Sequence, residues 1–193
     1  MNKKCVLALV WVVLSAVPIV GQNSRVANEA IKQLAATLEG DWAIQITLAG
    51  NERHPGSDGH GEEKFSRGPG GNSFVEKYHS TGTEGKITGL GIFWPDKAQG
   101  AYQILWCGDG TPDGCTPMSG GGKWEAGNLV IRQQFERKGK QVALKEVFSE
   151  FTASSFLQTI FEKIDDGEWK ARVMIRATRI KTEQKAAASR TVR

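Results

Sequence analysis

Two cysteines lie close together in a stretch rich in glycine, proline and aspartate, which reads ILWCGDGTPDGCTPMSGGG from Ile104 to Gly122. Cys107 and Cys115 could bind a metal, act as a redox pair or form a disulfide. A structural zinc site needs four ligands, and the three histidines all lie well upstream of the pair. A redox pair favours the Cys-x-x-Cys spacing, which is absent. We therefore expect a disulfide that staples a turn, and no metal site.

This expectation depends on the compartment, which the beginning of the chain indicates. Lys3 and Lys4 precede an apolar run from Cys5 to Val13, and small residues follow it. The pattern is typical of a secretory signal peptide, so residues 1–22 are predicted to be one, with cleavage between Ala16 and Ser24. The run is shorter than a membrane-spanning helix, although an uncleaved helix is the alternative. We expect export to the periplasm or the extracellular space, where cysteine pairs oxidise, and no stable membrane anchor.

The charge balance argues against a nucleic-acid partner. The chain has 25 basic and 21 acidic residues, a formal charge of +4. Loss of residues 1–22 would remove two lysines and no acidic residue, which lowers the charge to +2. Phosphate binding needs basic residues gathered on one surface, and the densest basic cluster extends into the C-terminal tail. Residues 182–193 are predicted to be a disordered tail.

One helix and ten strands are predicted for the rest of the chain. Residues 23–38 place Val26, Ile31, Leu34 and Leu38 at helical spacing, so they predict an N-terminal amphipathic helix. A polar loop is predicted from Ala49 to His60. The predicted strands alternate in polarity or are bounded by turn residues, and they are Asp41–Leu48, Glu62–Arg67, Asn72–Thr81, Lys86–Trp94, Ala101–Cys107, Gly120–Glu125, Asn128–Arg137, Gln141–Phe151, Ser155–Ile164 and Glu168–Ile180.

The short connections between these strands predict an all-β fold in residues 39–181. Links of a few residues join antiparallel neighbours, because a parallel return needs a long crossover. A long antiparallel sheet hides its edges most simply by closing. We therefore predict a ten-stranded antiparallel up-and-down barrel preceded by one helix, with room inside for a small ligand. A two-sheet sandwich is the alternative, but the long connections of a Greek key are missing.

Polar side chains on otherwise apolar strand faces are the main indication of a site. Gln133 alternates with Ile131 and Phe135, and Glu146 alternates with Leu144 and Phe148. An inward-facing carboxylate is costly unless it is paired or solvated, so Glu146 predicts a partner such as Arg176 or a wet cavity. A register slip of one residue would instead place these groups outside.

We expect the barrel to bind a small apolar molecule. The candidate ligand-binding residues are aromatic or polar residues on the predicted inward faces, together with Arg176: Trp42, Tyr78, Tyr102, Trp106, Gln133, Phe135, Glu146, Phe148 and Arg176. Large aromatic residues more often form a core than line a pocket, so a core role is the alternative for these members.

Two other functions stay open. An enzyme of lyase, isomerase or hydrolase type could use Glu146 or His79 as an acid or base, although no Ser-His-Asp spacing is present and no catalytic residue is assigned. A non-catalytic interaction domain would have a filled core. His54 and His60 lie near Asp58 in a glycine-rich stretch and are expected to be solvated.

The sequence LEGDW, which follows the predicted helix, resembles the Gly-x-Trp opening of the calycin superfamily of lipocalins and fatty-acid-binding proteins. In that superfamily the tryptophan closes the barrel floor. The runs GLGIFWPDKAQGAYQILWCGDG, GGGKWEAGNLVI and DGEWKARVMIRATRI are similar to a bacterial family of secreted calycin-like proteins of unknown function. The resemblance extends from Leu38 to Lys181. It implies a barrel and no established reaction.

A more distant resemblance is to the nitrobindin type of ten-stranded barrel, which also begins with Gly-x-Trp and binds haem through a histidine late in the chain. No histidine follows His79 here, and Met174 is the only late residue able to ligate haem. No cofactor is therefore predicted.

Overall fold

The computed structural model describes residues 20–50, 55–83, 85–109, 111 and 114–181. Residues 1–19 of the predicted signal peptide, His54 and the predicted tail, residues 182–193, lie outside the described residues. No helix in the described part of the chain is long and apolar enough to cross a membrane.

One helix precedes the strands. Helix α1 spans Val20–Leu38 and begins three residues before the predicted start at residue 23. Its buried face contains Ile31, Leu34 and Leu38 at helical spacing. The helix contacts β2, β3 and β4, whose bounds are given next, so this apolar face is covered by the sheet.

Eleven strands follow within the described residues. They are β1 (Gly40–Leu48), β2 (Ser57–Arg67), β3 (Phe74–Gly82), β4 (Gly85–Asp96), β5 (Ala101–Gly108), β6 (Cys115–Pro117), β7 (Gly122–Glu125), β8 (Asn128–Arg137), β9 (Lys140–Ser149), β10 (Ser155–Ile164) and β11 (Lys170–Arg179). A short 3₁₀ turn at Pro69–Gly71 precedes β3.

The strands close into an antiparallel barrel, as predicted. Apart from β6 and β7, which both pair with β5, neighbours in sequence pair with each other, and β1 pairs with β11 to complete the ring. Between β5 and β8 the short strands β6 and β7 each cover part of the neighbouring position, so the barrel has ten strand positions. Two tight hairpins help to fix the register, because Lys138 and Gly139 both have positive φ, as Ala126 and Gly127 do. Because the sheet is closed, the alternative of a two-sheet sandwich is excluded.

Two local predictions were wrong. The polar loop predicted from Ala49 to His60 ends earlier, because β2 begins at Ser57 and pairs with both β1 and β3. The inward positions of β2 include glycines, which allow the sheet to bend. At Gly61 no larger residue would fit, because a Cβ there would lie 2.0 Å from the carbonyl oxygen of His79. Strand β6 was not predicted, because three residues are too few for an alternating pattern.

The two ends of the barrel differ. At the end that contains Gly40, which we call the closed end, the apolar face of α1 belongs to one buried cluster with the aromatic side chains of Trp42, Phe65, Phe74, Phe148 and Phe156. Trp42 is fully buried, and its indole nitrogen donates a hydrogen bond of 2.8 Å to the carbonyl of Leu38. Burial of each large aromatic side chain contributes roughly 2–3 kcal/mol, so this end supplies much of the stability. The end that contains Leu48 is the open end.

Polar contacts also tie the helix to the closed end. The hydroxyl of Tyr102 donates to the carbonyl of Ala30 at 3.0 Å, and it accepts a hydrogen bond of 3.1 Å from the indole of Trp124. The guanidinium of Arg179 lies 4.1 Å from the centre of the Trp42 ring and donates to the carbonyl of Glu39. These hydrogen bonds hold the helix across the closed end of the barrel, where Trp42 also lies.

The predicted disulfide is confirmed: Cys107 on β5 and Cys115 on β6 are opposite each other and bonded, at the open end. We predict that Cys107→Ser with Cys115→Ser lowers the free energy of unfolding by about 2.6 kcal/mol, the chain-entropy value for so short a loop. Urea denaturation measures the change in the free energy of unfolding. Peptide mapping after thiol labelling shows whether the two cysteines are bonded. A reductant should destabilise the native protein and leave the double variant unchanged. Labelling of the native protein without reductant would contradict the prediction.

Candidate functional site

The open half of the barrel contains a cavity of about 380 Å³. Most of its wall is apolar and comes from strands all around the barrel, and it includes Ile46, Leu48, Phe93, Ile104, Trp106, Met118, Ile131, Leu144, Ile160, Val173 and Ile175. Gly82, Thr83 and Gly85, in the turn between β3 and β4, also contribute to the wall at this end. The closed end is packed and the open end is hollow.

Glycines on β4 explain how large side chains point into this space. A Cβ on Gly89 would lie 2.2 Å from the Trp106 ring, and a Cβ on Gly91 would lie 2.8 Å from a carboxyl oxygen of Glu76. Gly91 pairs in register with Glu76 on one side and with Trp106 on the other. The missing side chains of β4 therefore make room for a ring and a carboxyl group from the neighbouring strands.

Three carboxyl groups lie in the interior, at the junction between the packed end and the cavity. Glu63 on β2 is 0 % exposed, Glu76 on β3 is 4 % exposed, and Glu146 on β9 is half-buried. Glu76 and Glu146 belong to the cavity wall. Glu63 is not part of the cavity wall, but it pairs in register with Tyr78, which is part of it.

These carboxyl groups have few partners. Within the described residues, no lysine, arginine or histidine forms an ion pair with any of the three. Glu146 accepts a hydrogen bond from the side-chain amide of Gln158 on β10. Both carboxyl oxygens of Glu63 and the amide oxygen of Gln158 are buried without a hydrogen-bond partner. Ionising such groups is costly, since the interior does not replace the lost hydration.

The pKa values shift accordingly. Burial, reinforced by the charge of Glu146, raises the pKa of Glu63 from 4.5 to about 8. Burial also raises the pKa of Glu146 from 4.5 to about 7, against the opposing hydrogen bond from Gln158. The pKa of Glu76 is raised well above its ordinary value by burial and by the charges of Glu63 and Glu146. At neutral pH this site can therefore hold, donate or accept protons.

Four of the predicted ligand-binding residues line the cavity, namely Tyr78, Trp106, Gln133 and Glu146. Trp42, Tyr102 and Phe148 lie in the packed core of the closed end instead. Phe135 is half-buried near the open end of β8 and is not part of the cavity wall.

Arg176 was wrongly placed in the interior. Its side chain is exposed on the outer face of β11, near the sulfur of Met174, so it does not pair with Glu146. The inward face of β11 contains Val173 and Ile175, which line the cavity. Met174 shares the outer face with Arg176, and a haem inside the barrel would receive no ligand from it.

The histidines do not contribute to the interior either. His79 and His60 are exposed on the outer faces of their strands, and His79 lies 3.5 Å from the Thr88 hydroxyl. The hypothesis that His79 acts as a base inside the barrel is therefore wrong. Within the described ranges, no group of three or more histidine, cysteine or acidic residues could hold a metal ion.

Sequence reasoning missed Glu63 and Gln158, and it noted no special role for Glu76. The signal was present as alternation, because Glu63 stands two residues before Phe65, and Gln158 stands between Phe156 and Ile160. The neighbouring Glu62 and the inward glycines Gly59 and Gly61 obscured the alternation on β2.

Comparison with known proteins identifies the fold. No protein-family model and no curated protein matches the chain. Among solved structures, the S-type phycobiliprotein lyase CPES from Guillardia theta matches with a TM-score of 0.56 and 11% identity, covering 82% of this chain and 97% of that one. A redesigned β-barrel, mFAP0, bound to DFHBI, matches with a TM-score of 0.37 and 14% identity, over 74% of this chain and 98% of that one. The similarity to CPES is one of fold and agrees with a calycin-like barrel.

The raised pKa values predict that stability falls as the pH rises from about 5 to about 8.5. The folded chain binds these protons more tightly than the unfolded chain, so the contribution is complete at low pH and disappears as the pH passes the folded pKa values. For Glu146 the shift from 4.5 to about 7 corresponds to a loss on the order of 3 kcal/mol. Urea denaturation at several pH values across this range measures how the free energy of unfolding changes with pH.

Glu63→Gln and Glu146→Gln should each flatten this pH dependence, because an amide does not titrate. Glu168→Gln, on the exposed loop before β11, is the matched control and should leave the slope unchanged. Identical pH profiles for the native protein and a double Glu63→Gln, Glu146→Gln variant would contradict the assignment.

Proposed function

We propose that the protein is exported and binds a small, largely apolar organic molecule in the cavity of its barrel. The hollow open half carries this proposal. A volume of about 380 Å³ lies within the range of ligand pockets, roughly 300–1,000 Å³, and mainly apolar walls with a few polar groups are typical of such sites.

The distribution of side chains within the barrel supports this reading over a filled interaction domain. The closed end shows that this barrel can be filled by its own aromatic residues. At the open end, Gly59 and Gly85 contribute to the wall where larger side chains would occupy the space. An empty apolar cavity reduces stability, so a hollow of this size is costly unless a ligand occupies it.

Export is part of the proposal and rests on the N-terminal pattern together with the cysteine pair. The disulfide at the open end is a bond that an oxidising compartment maintains. The similarity to CPES supports the barrel and leaves the ligand to be found by experiment.

Binding is tested with prodan, a neutral naphthalene dye whose emission shifts in apolar surroundings. We predict that the dye enters the cavity and changes the emission of Trp106. Ile160→Trp should weaken binding at least tenfold, because Ile160 lines the cavity and the larger ring fills it. Phe161→Trp changes the next residue, which is outside the cavity wall, and should bind like the native protein.

Native mass spectrometry of the purified protein provides a second measurement and should reveal a copurified molecule. Absence of dye binding and of any copurified molecule would contradict the proposed function. Equal loss of binding in the two tryptophan variants would contradict the assigned location.

One observation favours a second candidate, an enzyme that uses Glu146 as an acid or base. This carboxyl group lies in the cavity wall, and burial brings its pKa to about 7, close to the value that suits proton transfer at neutral pH. Tyr78 and Gln158 lie in the same wall and could orient a substrate.

Nitrobenzisoxazole tests whether Glu146 can act as a base. Its ring C–H proton passes to the carboxylate while the N–O bond breaks, and the released cyanophenolate is measured by absorbance. We predict a rate that rises with pH around pKa 7 and falls at least tenfold in Glu146→Gln, with Glu168→Gln unchanged. A rate that does not change in Glu146→Gln would contradict this candidate.

A further inference from the structure

We infer that the cavity selects organic molecules that carry a protonated nitrogen, such as an amine or an amidine, and that this group binds between Glu76, Glu146 and Gln158. The inference rests on the proposed binding function and specifies the chemical class of the ligand. The ligand would have one cationic, donor-bearing end and an apolar body.

The first support is the type of hydrogen-bonding atom left without a partner. The buried, unpartnered side-chain atoms in the described residues are both carboxyl oxygens of Glu63 and the amide oxygen of Gln158. Of these two residues only Gln158 belongs to the cavity wall, and its amide oxygen is an acceptor at any pH. An unsatisfied buried acceptor costs about 1–3 kcal/mol, and an N–H donor on a ligand would recover that energy.

Gln158 provides this support independently of the acidic residues. Its side chain is only 4 % exposed and lies in the cavity wall. Because its NH₂ group donates to Glu146, its oxygen is the end left free. A ligand N–H group in the cavity could donate to this neutral acceptor whatever the protonation of the carboxyl groups.

The second support is the charge around the cavity. Glu76 and Glu146 are in its wall, Glu63 is beside Tyr78, and no side chain in the described ranges pairs with them as a cation. The other charged residues in the wall are Asp58, which accepts a hydrogen bond from Thr47, and Arg132, which is paired with Glu125. A cationic ligand would provide the missing counter-charge, whereas an anionic ligand would add to the repulsion.

The walls define the remainder of the ligand. Tyr78 and Trp106 meet edge to face, with ring centres 6.0 Å apart, and aromatic rings in a cavity wall attract cations through their faces. The rest of the wall is mainly aliphatic, which offers no partner for a second charge. These features favour an amphipathic monocation over a metal ion or a polyamine.

Binding of such a cation should also release a proton. Burial brings the pKa of Glu146 to about 7, so about half of its carboxyl groups are protonated at neutral pH. Glu76, Glu63 and Tyr78 are the other titratable groups beside it, and their pKa values are raised as well. Ion-pair formation requires one carboxyl group to ionise. Proton release distinguishes recognition of charge from apolar binding alone.

The test compares three probes of one shape and different charge: naphthylmethylamine, naphthalenemethanol and naphthoate. Isothermal titration calorimetry in buffers of different ionisation enthalpy gives both the affinity and the number of protons released. We expect the amine to bind at least tenfold more tightly than the alcohol and to release up to one proton, and naphthoate to bind more weakly than the alcohol.

Glu146→Gln and, separately, Glu76→Gln should reduce the ratio of amine to alcohol affinity towards one, and Glu168→Gln should retain the native ratio. Folding of each variant is checked by circular dichroism. If neither cavity variant folds, the native preference and the proton release still decide the question. Equal affinity for amine and alcohol, or a preference for naphthoate, overturns this inference and leaves the binding function standing. No binding of any probe or of prodan overturns both.

Discussion

Closing a sheet into a barrel fixes an interior volume that the inward-facing side chains must fill or leave open, and the two ends of this barrel resolve that constraint differently. At the closed end, α1 and a cluster of aromatic residues around Trp42 and Phe156 form a buried core. The strands continue past this cluster to the open end, where glycines and moderate aliphatic side chains leave a hollow. Stability and binding capacity are thus located in different halves of one sheet.

The three carboxyl groups lie at the junction of these halves, where Glu63 and Glu76 are almost completely buried, Glu146 is half-buried, and the described residues supply no counter-cation. Such groups are stable only when they are protonated, paired with a ligand or solvated. Their raised pKa values correspond to protonation, and the unpartnered oxygen of Gln158 indicates pairing with a ligand. The same side chains that make the free protein sensitive to pH therefore define what the cavity should recognise.

Strand alternation in the sequence predicted which face of a strand is inward, but not how far along the barrel axis each residue lies. Tyr78 and Trp106 were assigned correctly to the interior, and so were Trp42 and Phe148, yet the second pair lies in the packed end. The position along the axis depends on strand tilt and on where the helix packs, and both are consequences of tertiary structure.

Two errors at the site have separate physical causes. Arg176 was assigned to the interior as a partner for a buried charge, although the apolar alternation of Val173 and Ile175 already placed it outside. The buried charge has no such partner in the described residues and is accommodated by a raised pKa. Glu63 was missed because the inward glycines before it removed the apolar alternation that reveals a strand face.

The protonation of the interior carboxyl groups is the property on which the site depends, and infrared spectroscopy measures it directly. A protonated carboxyl group and a carboxylate have separate C–O stretching bands. At about pH 7 the ligand-free protein should show a protonated carboxyl band that weakens in Glu63→Gln and decreases as the pH rises through about 8. A spectrum at about pH 7 that contains only ionised carboxylates would contradict this description of the interior.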